Sequence, residues 1–336
     1  MTGLLDPLLV DRYLSARIPG FRGPVTVQKF PDGQSNPTFL INAQSGRYVL
    51  RRKPPGVLLK SAHAVDREFQ VMQALTKTDV PVPQVLHFCA DPDVIGTEFF
   101  VMTFVAGRTF WNPALPELSH EQRRTCYDQM NKVLAAIHSV DISAVGLTEF
   151  GKPGNYFARQ FARWLGQYRQ SQTEDIPDLE AVIGWLEANP IEDDGQVSLV
   201  HGDFRLDNMM FTPDGGTINA VLDWELSTLG HPFADLAYQC ALWRLPPDSA
   251  LAGLGGIDRA ALGLPSEDAY VAAYCARRGL AEIKNWRAFL VFSLFRMAAI
   301  VQGVKKRGLE GNASSDRALS IGSLVGPLSK EAASLI

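Results

Sequence analysis

"LVHGDFRLDNMMF", residues 199–211, decides how this chain is read. Leu199 and Val200 look like the buried end of a strand, and Met209 opens a second apolar run. Between them, within eight positions, stand His201, Asp203, Arg205, Asp207 and Asn208. Charged groups packed between two apolar runs must be satisfied by water or by a ligand, because burying them unpaired is costly. Fifteen residues after Asn208, "VLDWE" puts Asp223 at the end of another apolar strand. The intervening "MMFTPDGGTINAVLD" reads as strand, Asp-Gly-Gly turn, strand, so a hairpin is expected to return Asp223 to the side of Asn208. Chemistry on a phosphate needs such a set. One carboxylate orients an attacking hydroxyl and accepts its proton, while an amide oxygen and a second carboxylate hold a metal against phosphate oxygens. Hard oxygen ligands without a His or Cys cluster select Mg²⁺ over zinc.

Working outward, the pattern changes once along the chain. Up to about residue 105, short runs rich in β-branched and aromatic residues ("VTVQKF", "TFLIN", "RYVLRR", "QVLHFCA", "TEFFVMTF") alternate with turn signals, which predicts strands. One helix interrupts them, about 62–77, with Val65, Phe69, Met72 and Leu75 on one face, and the prolines of "DVPVP" end it. Beyond Gly107 the period is helical, with helices expected at about 119–138, 156–169, 178–188, 233–244, 266–278 and 286–306. This gives an α+β chain: a strand-rich region, 1–105, and a mainly helical one, 106–336, expected to face each other across a cleft. An amphipathic helix near the N-terminus is expected to pack through Leu5, Leu8, Leu9 and Tyr13.

"HGDFRLDN", "LDWE" and "GHPFADLAY" together resemble the aminoglycoside phosphotransferase and choline kinase group of small-molecule kinases, which share the two-lobed protein-kinase fold. The resemblance runs from about residue 25 to 310. "GQSNPTF", "RRKPPG" and "SAHAVDREF" resemble in particular the kinase-like domain fused to acyl-CoA dehydrogenases. It implies a strand-rich nucleotide-binding lobe, a helical lobe with catalytic loop and acceptor site, ATP or GTP as phosphoryl donor, and Mg²⁺. Asp203 carries over as the catalytic base, with Asn208 and Asp223 as metal ligands. Arg205 stands where protein kinases often place a lysine, suited to neutralising charge on the transferred phosphoryl group. His201 is expected to brace the loop, Asp207 to cap or face solvent, and Asp235 to hold the loop backbone.

A kinase also needs a cation on the nucleotide phosphates, braced by a helix carboxylate. "YVLR" fits that strand position, with Arg51 in place of lysine. Glu68 shares the inward face of its helix and needs a partner there, which makes Arg51 its natural one. The expected phosphate loop, "FPDGQSNPTF", has only Gly33, so Ser35 and Asn36 are the candidates for phosphate contact. "FFVMTFVAG" matches the hinge, with Met102 behind the adenine and the backbone of Thr103 and Val105 at its edge. "GLGGID", residues 253–258, reads as a loop.

Composition narrows the field. A net charge of −4 disfavours a nucleic-acid partner. Four scattered cysteines give no zinc site or disulfide framework and suit a reducing cytoplasm. The first twenty residues lack the pattern of a signal peptide. The apolar run 288–304 is interrupted by Arg296 and Gln302 and falls short of the ~20 residues that span a bilayer. It reads as a core helix, with Asn285 as its expected cap, and no membrane partner is expected. Arg296 is expected to form an ion pair with a neighbouring helix or to meet an anionic substrate group.

The reading is thus an ATP- and Mg²⁺-dependent small-molecule kinase acting on a hydroxyl group. Mixed charge on the helices expected to line the acceptor site (Arg159, Arg163, Arg277, Arg278) disfavours a polycationic antibiotic. A hydroxy acid or hydroxyacyl-CoA is favoured. The alternative is a nucleotide-binding pseudokinase with a regulatory role, for which the missing lysine and glycines speak. A two-metal phosphoesterase is a distant third.

Overall fold

The computed structural model describes residues 5–30, 36–54, 64–311 and 317–336. The chain divides into two compact units: Met1–Gly107 with Asn219–Ser227, and Arg108–Ile218 with Thr228–Ile336. The sequence places 219–227 with the later region, whereas its contacts join it to the first unit. The reason is local. Trp224 is fully buried, Val221 N–H donates to the Pro81 carbonyl, and the Asn219 side chain donates to the Ala106 carbonyl.

The first unit is built on one antiparallel sheet of β1 (Thr26–Lys29), β2 (Thr38–Ala43), β3 (Gly46–Arg52), β4 (Val85–Cys89) and β5 (Phe99–Thr103). Its order is β1-β2-β3-β5-β4. Period-two alternation sorts its side chains. Phe39, Ile41, Leu50, Phe99 and Val101 form one buried face. Helix α1 (Pro7–Arg17), capped by Asp6, joins that core through Val10 and Leu14, together with Leu5 and Ile18. Of the residues expected to pack, Leu5 is buried and Tyr13 lies against the same core, whereas Leu8 is 81% exposed. The i, i+4 pair Val10/Leu14 completes the packed face. On the other sheet face Arg51 stands across from Phe100, and Val49 from Met102. Helix α2 (Val65–Leu75) belongs to this face: its Phe69 ring meets those of Phe88 and Phe100. Its buried positions are Val65, Glu68, Val71, Met72 and Leu75.

The second unit is mainly helical. It holds α3 (His120–His138), α4 (Tyr156–Ser171), α5 (Pro177–Ala188), α6 (Phe233–Trp243), α7 (Glu267–Arg278), α8 (Trp286–Leu309), α9 (Ala318–Gly322) and α10 (Val325–Ala333). A capping box between Ser119 and Gln122 starts α3, and Gly279, at φ 66°, ends α7. Helix α8 is the centre, with α4, α5, α6, α9 and α10 packed around it. At 24 residues it is long and apolar enough to span a bilayer by length and composition, yet Phe289 to Phe295 are all buried against its neighbours. Asn285 does not cap it. The residue is left-handed, at φ 55°, and its side chain makes no cap bond. Short strands interrupt the helices, β6 (Ser198–Val200), β7 (Met209–Phe211) and β9 (Thr228–Gly230), while β8 (Ile218–Val221) leads into the segment that joins the first unit. Strand β9 runs antiparallel to β6. The Asp-Gly-Gly turn closes where Thr212 N–H donates to the Thr217 carbonyl.

Candidate active site

In the second unit, β6 delivers the chain to a loop held from below by one buried carboxylate. Asp235, in the first turn of α6, accepts the N–H of His201 at 2.7 Å and of Gly202 at 2.9 Å. Burial alone would raise its pKa, but the His138 hydrogen bond and the Gly202 N–H hold it below the ordinary value. His138 Nε2 lies 3.3 Å from Asp235 Oδ2, and its Nδ1 lies 2.7 Å from the Tyr274 hydroxyl. Burial lowers the His138 pKa more than Asp235 raises it, so this imidazole is neutral. Gly202 takes φ 87°, a conformation that a side chain would strain. His201 Nδ1 accepts the Asp203 N–H, which makes His201 a brace for the loop.

Asp203 is the convergence point. Asn208 Nδ2 donates to its backbone carbonyl at 2.9 Å and to Oδ2 at 3.0 Å, which leaves the Asn208 amide oxygen turned away from it. Arg205 Nε stands 3.0 Å from Oδ1, and Arg205 Nη2 stands 3.0 Å from Asp207. Asp207 is therefore an ion-pair partner rather than a cap or a solvated charge. Tyr238 donates its hydroxyl to Oδ1 at 2.7 Å. Sequence reading missed Tyr238. Its signal was the helix period, because it lies three residues after Asp235 on α6. Arg296 makes no ion pair among the described residues. Its Nη2 donates to the Gly202 carbonyl at 3.2 Å, and its guanidinium lies 5.7 and 5.8 Å from the ring centres of Tyr238 and Trp164.

In the first unit, Arg51 and Glu68 do pair, at 2.8 Å between Nε and Oε2. The same guanidinium reaches Asp223 at 2.7 Å and Glu225 at 3.8 Å. Asp223 is left-handed, at φ 62°, which turns it back toward β3. Burial, outweighing the opposite pull of Arg51 and helped by the charges of Asp223 and Glu225, pushes the Glu68 carboxyl up to about 8. Three carboxylates thus share one guanidinium. Among the described residues no group of three or more His, Cys, Asp or Glu has metal-binding geometry. The hard oxygen donors named from the sequence, the Asn208 amide and the Asp223 carboxylate, are of the type that Mg²⁺ takes beside phosphate and water oxygens.

The remaining expectations fall less neatly. Ser35 lies outside the described residues. Asn36 is 1% exposed and gives its amide to Glu225 Oε2 at 3.1 Å, so it braces the segment after Asp223 instead of offering donors to a phosphate. Met102 is buried on β5, and Thr103 gives its N–H to the Gln84 carbonyl. "GLGGID" is a loop, packed on the end of α6 through Leu254 N–H and the Trp243 carbonyl. A hollow of about 610 Å³ beside it is lined by Arg244, Glu267 and Glu331, whose charges already pair with one another.

A catalytic-type loop on a helical unit and an Arg–Glu pair on an antiparallel sheet are the marks of a kinase-type phosphotransferase. The chain belongs to the phosphotransferase enzyme family, whose profile matches residues 26–288. It is 47% identical over 303 residues to mouse acyl-CoA dehydrogenase family member 10, covering 90% of this chain and 28% of that protein. To rat acyl-CoA dehydrogenase family member 11 it is 40% identical, covering 96% and 42%, and to the probable acyl-CoA dehydrogenase IBR3 of Arabidopsis thaliana 44%, covering 93% and 40%. The chain therefore spans less than half the length of these relatives. A crystal structure from Ralstonia eutropha, named provisionally as an aminoglycoside phosphotransferase, superposes with a TM-score of 0.91 at 43% identity over 99% of this chain and 98% of that one. Aminoglycoside phosphotransferase APH(4)-Ia, solved with ADP and hygromycin B, shares the fold at TM-score 0.64 and 15% identity, over 97% and 98%. The fold is α+β and protein-kinase-like, with an antiparallel sheet early and helices later.

Proposed function

We propose that the protein transfers the γ-phosphoryl group of ATP, or of GTP, to a hydroxyl group of a small acceptor, and that the acceptor is a hydroxy acid or a hydroxyacyl-CoA. The observation that carries this reading is the convergence of Tyr238, Arg205 and Asn208 on Asp203, which fixes one carboxylate at the tip of the loop. A carboxylate held in this way is suited to align an alcohol and accept its proton. Oδ2 takes the hydrogen as the alcohol oxygen bonds to phosphorus and the nucleoside diphosphate leaves. Arg205 has a second role in this scheme, balancing charge on the phosphoryl oxygens. Asn208, through its amide oxygen, and Asp223 would hold Mg²⁺, which when bound shields the phosphate charge. Arg51, anchored by Glu68, serves the nucleotide phosphates together with Ser35, and Asn36 acts through Glu225. Met102, Thr103 and Val105 serve the adenine.

The acceptor class is supported by the relatives, which carry acyl-CoA dehydrogenase names. A cytoplasmic setting belongs to the same reading and is supported by four free, buried cysteines. Purified protein should consume Mg·ATP in the presence of hydroxyacyl-CoA thioesters or hydroxy acids, with one phosphate appearing on the acceptor by mass spectrometry. Turnover of aminoglycosides alone would overturn the acceptor class. Absence of any transfer, with ATP still bound, would support the pseudokinase alternative, to which the replacement of lysine by Arg51 lends weight.

A further inference from the structure

Tyr238 has no part in the scheme read from the sequence, yet its hydroxyl makes the shortest of the side-chain contacts to Asp203, at 2.7 Å. Its ring is fixed from two sides. The backbone belongs to α6, whose first turn carries Asp235 beneath the same loop. The guanidinium of Arg296 lies 5.7 Å from the ring centre, within cation–π range, and also holds the Gly202 carbonyl. Resting on the phosphotransferase reading, we infer that Tyr238 is a positioning residue, whose hydroxyl occupies Asp203 Oδ1 and so leaves Oδ2 to receive the proton of the acceptor.

The lone-pair count supports the assignment. A carboxylate oxygen offers about two acceptor directions. Oδ1 already accepts from Tyr238 and lies 3.0 Å from Arg205 Nε, whereas the described contact to Oδ2 is Asn208 Nδ2 alone. Without the phenol, Asp203 gains freedom to rotate about its Cβ–Cγ bond, and the two oxygens exchange roles. Tyr238 remains a donor throughout the working range, because burial and the adjacent Asp203 charge raise its pKa well above the ordinary value.

The test is a cycle of Y238F, D203N and D203N/Y238F, assayed for Mg·ATP turnover with a four-carbon 3-hydroxyacyl-CoA and, in parallel, with water as the only acceptor. A hydrogen bond to a charged group sets the scale, so Y238F should lower kcat about ten- to hundredfold. KM for ATP should stay within about twofold, and the melting midpoint within a few degrees. In the D203N background the same change should cost nothing further, since the hydroxyl acts through Asp203. Placing 3-fluorotyrosine at position 238 restores ring and donor together and should rescue most of the lost kcat. Additive losses in the double variant, or failure of the fluorotyrosine to rescue, would assign Tyr238 to packing and overturn the inference. If Y238F proves too unstable to assay, fluorotyrosines of graded acidity at position 238 keep ring and donor: a kcat that follows phenol acidity in the wild-type background but not in D203N supports the role, and a kcat indifferent to it overturns the inference. An active wild type whose Y238F variant keeps its kcat sinks this assignment alone. A wild type that transfers phosphate to no hydroxyacyl-CoA, hydroxy acid or aminoglycoside sinks the kinase reading and this one with it.

Discussion

Arg51 and Asp223, 172 residues apart in the chain, stand 2.7 Å apart, and the other edge of the same guanidinium meets buried Glu68 at 2.8 Å. One cation therefore holds a strand, a helix and the segment that carries a proposed metal ligand. Its removal strands Glu68, which is 2% exposed, without its counter-ion. R51M should lower the unfolding free energy by about 3–5 kcal/mol. The double variant R51M/E68L should recover most of that loss, because an apolar pair of similar volume replaces the orphaned carboxyl. Denaturant unfolding of the three proteins measures this, and equal losses in the single and double variants would count against the pair as the cause.

Asp203 supports the second expectation. D203N preserves shape but keeps one acceptor oxygen, so either Tyr238, now on Oδ1, or Asn208, now on Oδ2, meets an NH₂ group, and the charge that accepts a proton is lost. Phosphoryl transfer should fall about 10²- to 10⁴-fold while the dissociation constant for Mg·ATP moves by less than about threefold. Isothermal titration beside a coupled ADP assay separates the two quantities. Loss of nucleotide binding with loss of rate would contradict the proposed role.

The parts legible in the sequence were those written in local chemistry. The loop "HGDFRLDN", the Arg51–Glu68 pair and the change from strand to helix near residue 105 all follow from motif or period. What stayed hidden was set by packing over long separations. Asn36 found Glu225 across 189 positions, a distance at which no periodicity operates. Arg296 found a carbonyl and two aromatic rings in place of a carboxylate, since a guanidinium satisfies either. Around α1, Leu5 and Tyr13 pack as expected, but Leu8 was taken for a packing residue and Val10 and Leu14 were not, because all are apolar and only the neighbouring sheet chooses among them. The helices after residue 317 were not anticipated. They are short, and their burial against α8 stabilises them more than propensity does.

Gly202 links the loop to its supports, and its substitution should expose that dependence. The residue sits at φ 87°, gives its N–H to Asp235 and accepts from Arg296. An alanine there costs about 1–2 kcal/mol for the left-handed backbone alone. The strain relaxes most easily by tilting the neighbouring Asp203. G202A should therefore lose rate out of proportion to its modest loss of stability, seen as a fall in kcat at temperatures well below its melting midpoint. A variant with wild-type kcat would mean that the loop tolerates the side chain without moving.

The buried His138–Asp235 pair makes the stability of the second unit sensitive to acid. His138 is held neutral, with its pKa below 6.5, and Asp235 is held charged, with its pKa below 3.8. As pH falls below 6.5, the unfolded chain binds a proton at His138 that the folded chain refuses, so stability declines. As it falls below 3.8, protonation of Asp235 in the unfolded chain adds a second decline. Each group contributes a slope of at most about 1.4 kcal/mol per pH unit within its window. H138N removes the first titration, and denaturant unfolding from pH 7 to pH 4.5 should show a shallower acid slope than wild type. Because asparagine leaves Asp235 without its imidazole partner, the variant should also be less stable at pH 7, by about 1–3 kcal/mol. Parallel curves for the two proteins would show that the acid sensitivity arises elsewhere.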